Sequence, residues 1–207
     1  MDDLDSNKNK IAGLELCYNS IGEKYAKALG GKIKNLKYLR KLDISDCFVS
    51  RWDQELSKCL KYLLGGVVDK NFKEIRLSNN ALRATAADLI FVKQNKTLEK
   101  LYLNNCGMEP IETPDLIKII KENKDIPLKV LKIAINKMED IGFESISELV
   151  KEKKTLQEIQ ISDNEIHNKG LKSFFNAIKG NANLIMIDNH NNTLGSQQKD
   201  YPKVIKT

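Results

Sequence analysis

The sequence predicts an α/β solenoid of about seven strand-and-helix units, in which the strands form a parallel concave sheet and the helices lie outside. Three observations predict it. A short-strand pattern, with one polar residue between two apolar ones, returns every 26 to 33 residues. Asn or Cys follows each copy of the pattern at a fixed distance. Between the copies, apolar residues recur at helical spacing.

The strand pattern reads LxxLxLxx(N/C)xL, which is the signature of a leucine-rich repeat. Residues 39–49, 98–108 and 156–166 show it most completely. The second apolar strand position of the seven copies is held by Leu16, Ile44, Leu77, Leu103, Ile133, Ile161 and Asn189. Because the last of these residues is polar, we expect the last copy to be a degenerate cap or the end of a shortened array.

The Asn or Cys after each strand is expected to turn into the core, where it satisfies backbone groups that would otherwise stay unpaired. Cys47 and Cys106 hold this position. We therefore predict that both thiols are structural. The four cysteines contain no CxxC pair, which is typical of reduced thiols in a reducing compartment.

Helices are predicted between the strands. Trp52, Leu56, Cys59, Leu60 and Leu63 fall on one helical face, which we expect to be buried. Similar faces are predicted at Phe143, Ile146, Val150, Leu171, Phe174, Phe175 and Ile178. Units of this length, with a full helix each, favour a ribonuclease-inhibitor-like horseshoe whose repeats bury their apolar faces against their neighbours.

A helix start is predicted at residues 113–115, with Thr113 as the N-cap and Pro114 in the first turn.

At the level of the chain, residues 11–195 are predicted to form one leucine-rich-repeat domain. Residues 1–10 are polar and are expected to be a disordered N-terminus. Residues 196–207 carry no repeat pattern and are expected to be a tail or an irregular cap.

Several functional classes are disfavoured by the composition and the motifs. The net charge is +6, but the lysines are spread out, with modest clusters near residues 32–41 and 151–154 that we interpret as a solvated face. Aromatic residues do not interleave with them, so a nucleic-acid surface is not expected. No phosphate-binding loop, metal-ligand spacing or nucleophile motif is evident, which predicts no cofactor, no metal and no self-contained active site.

Recognition of a macromolecule by the concave face or one rim is the expected mode of action. The side chains predicted to face the concavity are Glu15, Asp43, Arg76, Tyr102, Lys132 and Gln160, and the next exposed row is Cys17, Ser45, Ser78, Asn104, Ala134 and Ser162. This mixture of charges suits a protein partner. Two loops on the strand-to-helix rim stand out, one with Arg51 and one with Asn105, although a solvated arginine and a turn-forming asparagine are the structural alternatives.

Asn105 is singled out further by the repeat. Because Cys106 holds the position of the structural asparagine, we expect that the repeat does not dictate Asn104 or Asn105. Both residues are therefore candidates for function.

These loops resemble a known family. Residues 101–110, LYLNNCGMEP, are similar to a strand and loop of the leucine-rich-repeat domain of Ran GTPase-activating proteins, and residues 46–51, DCFVSR, look like its D-x-F-x-x-R loop. The resemblance extends from Leu14 to Gly195 and covers a shortened array. It implies stimulation of GTP hydrolysis on Ran, without an inserted arginine, by orienting the GTPase's own catalytic glutamine.

The resemblance also implies roles for individual residues. Asn105 is the candidate for the orienting contact near that glutamine, and Arg51 for a supporting role. The candidates for partner binding are Asp46, Ser50, Asn104, Tyr102, Arg76 and Lys132.

The implied partner is a Ran-type small GTPase in its GTP form, with no nucleic acid and no membrane. The protein is expected to be a monomer in the cytoplasm, with association with the nuclear envelope as an alternative, and to act in nucleocytoplasmic transport. A non-catalytic leucine-rich-repeat interaction scaffold is the alternative function.

Overall fold

The computed structural model describes residues 10–49, 52–67, 70–83 and 90–193. Seven strands form one sheet in chain order, and every neighbouring pair is parallel. The strands are β1 Gly13–Glu15, β2 Lys41–Asp43, β3 Glu74–Arg76, β4 Lys100–Tyr102, β5 Val130–Lys132, β6 Glu158–Gln160 and β7 Met186–Asp188. This topology confirms the predicted leucine-rich-repeat solenoid.

Helices connect the strands and form the second layer. Their described extents are α1 Glu23–Lys34, α2 Asp53–Gly65, α3 Ile90–Gln94, α4 Glu112–Glu122, α5 Glu139–Glu152 and α6 Asn168–Ile178. Parallel neighbours need such crossovers, because a tight hairpin can only join antiparallel strands. The predicted disordered N-terminus, residues 1–10, lies outside the described residues except for Lys10. The predicted tail, residues 196–207, lies wholly outside them.

The core lies between the sheet and the helices. The middle residue of each internal strand is at most 1% exposed, as for Leu42, Leu101 and Ile159. Its neighbours in the strand point to the other face, because successive side chains of a strand alternate. The first and third residues of each strand therefore lie on the concave face, and the third positions form the row predicted there, namely Glu15, Asp43, Arg76, Tyr102, Lys132 and Gln160.

Two predictions about helix starts are wrong. Trp52 is the N-cap of α2 and is 84% exposed, because it precedes the first helical turn and does not share the face of Leu56. α4 begins at Glu112 with Ile111 as its N-cap. Thr113 lies inside the helix, where its backbone N–H and its hydroxyl both donate to the carbonyl of Glu109, one turn earlier.

The predicted ladder of Asn and Cys residues, here called the strand-end ladder, is present. Asn136 is buried, its Oδ1 accepts hydrogen bonds from the backbone of Cys106 and Met108, and its Nδ2 donates to three carbonyls. The thiols of Cys47 and Cys106 donate to the carbonyls of Leu16 and Leu77. Burial raises the pKa of Cys106 to about 12 and that of Cys47 to about 11, so both thiols stay protonated.

A second ladder, here called the helix-end ladder, joins the loops that follow the helices. Its members, Lys70, Asn95, Asn123, Lys153 and Asn181, each donate a side-chain hydrogen bond to one or more backbone carbonyls of the preceding repeat. The sequence pattern did not indicate it. The interpretation of residues 151–154 as solvated is wrong for Lys153, which is 7% exposed, because its ammonium is drawn inward to a carbonyl of Asn123, 2.7 Å away.

Candidate functional site

The second residue after the last buried strand position adopts the left-handed conformation in every repeat, with φ between 52° and 63°. These residues are Tyr18, Asp46, Asn79, Asn105, Ile135, Asp163 and Asn191. Asn and Asp tolerate this conformation better than other residues with a side chain. The expectation that the repeat does not dictate Asn105 is therefore wrong in part, because the turn favours asparagine there. Tyr18 and Ile135 show that the turn does not require it.

Asn105 is exposed on the strand-to-helix rim. Its backbone N–H donates to the carbonyl of Ala134 at 2.9 Å, which fixes the turn against the next repeat. Its Nδ2 donates to Oδ1 of Asn79, the equivalent residue of the preceding repeat, at 3.1 Å. The other described residues contribute no hydrogen bond to its Oδ1. The side chain is thus oriented along the rim while an acceptor remains available to a partner.

Asp46 lies at the same repeat position as Asn105, two repeats earlier, and is partly exposed. Its backbone N–H donates to the carbonyl of Ser78 at 2.9 Å. Ser50 and Arg51 lie outside the described residues, so a shared rim for Arg51 and Asn105 stays a prediction.

The concave face brings three of the predicted partner-binding residues together. The guanidinium of Arg76 lies 4.4 Å from the ring centroid of Tyr102, and Nζ of Lys132 lies 6.0 Å from it on the other side. A cation over an aromatic face is attracted by about 0.5–1 kcal/mol at an exposed site. Burial is the main cause that raises the pKa of the Tyr102 hydroxyl, so the ring stays neutral.

Both cations in this row are also paired with carboxylates. Nε of Arg76 donates to Glu74 at 2.7 Å, and Nζ of Lys132 lies 2.7 Å from a carboxylate oxygen of Glu158. The row formed by Arg76, Tyr102 and Lys132, here called the cation–aromatic row, is therefore ordered before any partner binds. Its charge is largely compensated within the molecule.

Asn104 has a structural task that the sequence did not reveal. Its Oδ1 accepts a hydrogen bond from the backbone of Ala134 at 2.8 Å, and its Nδ2 donates to Gln160 at 3.2 Å. The prediction that Ala134 and Ser162 lie on an exposed row is wrong, because each is 1% exposed. Side chains converge on the inner face of a curved sheet, and Asn104 covers the backbone at Ala134.

The described residues contain no group of three or more His, Cys, Asp and Glu side chains arranged to hold a metal ion. Within the same part of the chain, no helix is long and apolar enough to span a bilayer.

Comparisons with known proteins agree with the fold. A family model described as a Leucine Rich repeat matches residues 152–175. The Ran GTPase-activating protein of Drosophila melanogaster is 27% identical over 185 residues, which cover 83% of this chain and 31% of the relative. Ran GTPase-activating protein 1 of Xenopus laevis is 28% identical over 76% of this chain and 30% of the relative.

Two further proteins are similar to this chain. Ribonuclease inhibitor of Mus musculus is 24% identical over 93% of this chain and 42% of the relative. The tropomodulin C-terminal domain of Caenorhabditis elegans shares the fold with a TM-score of 0.50 and 11% identity, over 87% of this chain and 89% of that domain. The chain thus spans less than half the length of the curated relatives it matches. The order of the parallel sheet, the strand-end ladder and the match to the repeat model together identify the chain as a leucine-rich-repeat solenoid protein.

Proposed function

We propose that this protein stimulates GTP hydrolysis by a Ran-type small GTPase in its GTP form. The observation that carries the proposal is the exposed, oriented Asn105 in a loop of a chain that is similar to Ran GTPase-activating proteins over most of its length. Such a role fits a cytoplasmic protein of nucleocytoplasmic transport.

The proposed mechanism uses the catalytic groups of the GTPase. The GTPase binds the nucleotide and the magnesium ion and supplies the glutamine that orients the attacking water. Asn105 offers an amide that both donates and accepts hydrogen bonds, and such a group suits the amide of that glutamine. Holding it in a productive orientation raises the rate without a covalent step on this chain.

The other residues are assigned supporting contacts. Arg51 and Ser50 belong to the loop that contains Asp46, on the same rim as Asn105 by sequence. The cation–aromatic row would bind the surface of the GTPase beside the rim, since aromatic and arginine side chains are typical of binding hot spots. Asn104 would act mainly by keeping the turn of Asn105 in place.

Single-turnover GTP hydrolysis by Ran tests the proposal. The protein is expected to accelerate hydrolysis, and Asn105→Ala is expected to lower the saturating rate constant by about 100-fold, the usual loss for one positioned polar group. Asn191→Ala is the matched control, because Asn191 is exposed, holds the same left-handed turn position as Asn105 and lies three repeats away from it. Absence of acceleration at saturating protein, or equal loss in both variants, would contradict the proposal.

A non-catalytic interaction scaffold is the second candidate. It is favoured by the similarity to ribonuclease inhibitor, which covers a larger share of both chains than the similarity to the GTPase-activating proteins. It predicts a stable complex with a protein other than Ran and no change in GTP hydrolysis. Affinity purification of the tagged protein, followed by the hydrolysis assay with each retained partner, distinguishes the two.

A further inference from the structure

The loops that lead from helix to strand carry an excess of positive charge. Apart from Lys70 and Lys153, which belong to the helix-end ladder, the described residues of these loops include seven lysines and one arginine. Their acidic residues are Glu99 and Asp125, which leaves a net charge of +6. The side that these loops form is here called the basic rim and comprises residues 35–40, 66–67, 70–73, 95–99, 123–129, 153–157 and 179–185.

The opposite rim does not share this excess. The described strand-to-helix loops between β1 and α6 contain two basic and four acidic residues, namely Arg83, Lys137, Asp46, Glu109, Asp163 and Glu165. The polarity has a structural cause. Because the crossovers of a parallel sheet run in one direction, the helix C-termini all lie on the same side, and each of them favours basic residues. The preferences of single helices thus add up to a property of the whole molecule.

Neighbouring side chains do not cancel the charge of the basic rim. The last four residues of the six described helices add five lysines and two glutamates, and the first residues of the strands add two lysines and two glutamates. Lys73 and Lys129 share the carboxylate of Glu99, at 3.7 and 2.8 Å, so one negative charge serves two positive ones. The pair of Lys96 and Asp125, at 3.3 Å, is exposed to solvent, where ion pairs are weak.

The charges of the basic rim are close enough to act together. Neighbouring strands lie about 4.8 Å apart and packed helices about 8–10 Å apart, so the loops between them follow at similar intervals. These intervals are comparable with the Debye length of about 8 Å at physiological ionic strength. Six of the eight basic residues are exposed, among them Lys37 in the first loop, Lys96 in the third and Lys179 in the last. The rim therefore presents one broad positive surface.

The composition of the basic rim indicates the kind of partner. Arginine is typical of nucleic-acid sites because its planar fork pairs with phosphate, whereas seven of the eight cations here are lysines. Lysine is also depleted in interfaces between proteins. Tyr38, which is 55% exposed, is the one exposed aromatic side chain among the described residues of the rim. A single ring does not form the stacking row of a single-strand site, but tyrosine is typical of the zone where a bilayer meets water.

We propose that the basic rim binds the surface of an anionic lipid bilayer by diffuse electrostatic attraction. The lysines contact the headgroup layer, Tyr38 enters the interfacial zone, and the chain stays outside the hydrocarbon. Lysines near an anionic surface contribute to binding without a fixed geometry. The rim that carries Asn105 lies on the other side of the molecule and stays accessible. The inference differs from the sequence-based expectation of no membrane partner and does not depend on the proposed GTPase.

Co-sedimentation of the full chain with lipid vesicles tests the proposal. The protein is expected to bind vesicles of three parts phosphatidylcholine and one part phosphatidylserine, and not vesicles of phosphatidylcholine alone. Binding is expected to disappear at about 1 M salt, where the Debye length falls to about 3 Å. Phosphatidylglycerol at the same surface charge should replace phosphatidylserine. Binding to only one of the two anionic lipids would indicate a specific headgroup site and would overturn the proposal.

Two triple variants locate the surface. Lys37→Gln, Lys96→Gln and Lys179→Gln together are expected to weaken binding about 100-fold, since each lysine near the surface contributes about fivefold. The control combines Lys118→Gln, Lys137→Gln and Lys172→Gln, which remove the same charge from exposed positions away from the rim. Circular dichroism verifies that both variants are folded.

Three results would contradict the assignment of the basic rim to a bilayer. The first is the absence of binding to anionic vesicles. The second is an equal loss in the two triple variants, which would show that only the net charge of the chain matters. The third is binding to a single-stranded RNA oligonucleotide or to a poly-glutamate peptide without binding to vesicles, which would assign the rim to a nucleic acid or to an acidic protein segment.

Discussion

The two rims of the molecule connect neighbouring repeats through hydrogen bonds from different side chains. On the strand-to-helix rim, the strand-end ladder uses Asn or Cys, and on the opposite rim the helix-end ladder uses Asn or Lys. In the strand-end ladder, Asn80 and Asn136 accept hydrogen bonds from the backbone of the preceding repeat as well as donating to it. In the helix-end ladder, the preceding repeat presents only carbonyls.

This difference explains which residues each rim tolerates. An ammonium donates but cannot accept, so lysine suits the helix-end ladder alone. Carbonyls at a helix C-terminus also carry the negative end of the helix dipole, which favours a cation there. The strand-end ladder therefore leaves a sequence signature, whereas the helix-end ladder looks like an ordinary polar loop.

The largest expected effect is on the strand-end ladder. Asn136→Ala removes the side chain that satisfies five backbone groups, and we expect it to lower the free energy of unfolding by about 3 kcal/mol, because several buried groups lose their partners. Urea denaturation measures this loss. Asn136→Lys should be at least as damaging, and a mild effect of lysine there would contradict the distinction between the ladders.

A smaller effect is expected on the helix-end ladder. Asn123→Ala leaves the carbonyls of Val92 and Asn95 without their donor, and we expect a loss of about 2 kcal/mol in the same assay. Asn123→Lys is expected to recover part of it, because Lys70 and Lys153 already serve at equivalent positions. If Asn123→Lys recovers no stability, the helix-end ladder does not accept lysine at this position, and the distinction between the two ladders would be contradicted.

The third prediction separates the contribution of Asn105 to the stability of the turn from its proposed role in GTP hydrolysis. Asn105→Ala is expected to cost about 1 kcal/mol of stability, because a Cβ in the left-handed conformation without a compensating side chain is strained. Asn105→Gly should leave stability nearly unchanged, since glycine adopts this conformation freely. Thermal unfolding checks both. If the glycine variant is stable but loses acceleration of GTP hydrolysis, the side chain itself is required.

The smallest effect is a pH dependence at Lys153. Burial lowers the pKa of this ammonium, with a further contribution from Lys124. Between the lowered pKa and the ordinary lysine pKa, the unfolded chain binds more protons than the folded one, so stability rises with pH in that alkaline window. The stability difference between the wild type and Lys153→Met should therefore shift in favour of the wild type as the pH increases there. A difference independent of pH would show that Lys153 titrates normally.

The sequence predicts the strands, their parallel order and the strand-end ladder. These features depend on local alternation and on repeat spacing. Both can be recognised at Leu101, Leu103 and Cys106 without the positions of the neighbouring repeats. It also predicted that Arg76, Tyr102 and Lys132 share the concave face, because side-chain direction follows from strand position.

The remaining features follow from the packing of one repeat on the next. The donor role of Lys153 and the bridge made by Asn104 depend on partners about 30 residues away. A lysine in the sequence is compatible both with a solvated side chain and with one that donates to a buried carbonyl. The packing of neighbouring repeats decides which of the two occurs. The physical reason is that a solenoid sets local structure within each repeat, whereas burial and hydrogen bonding arise between repeats.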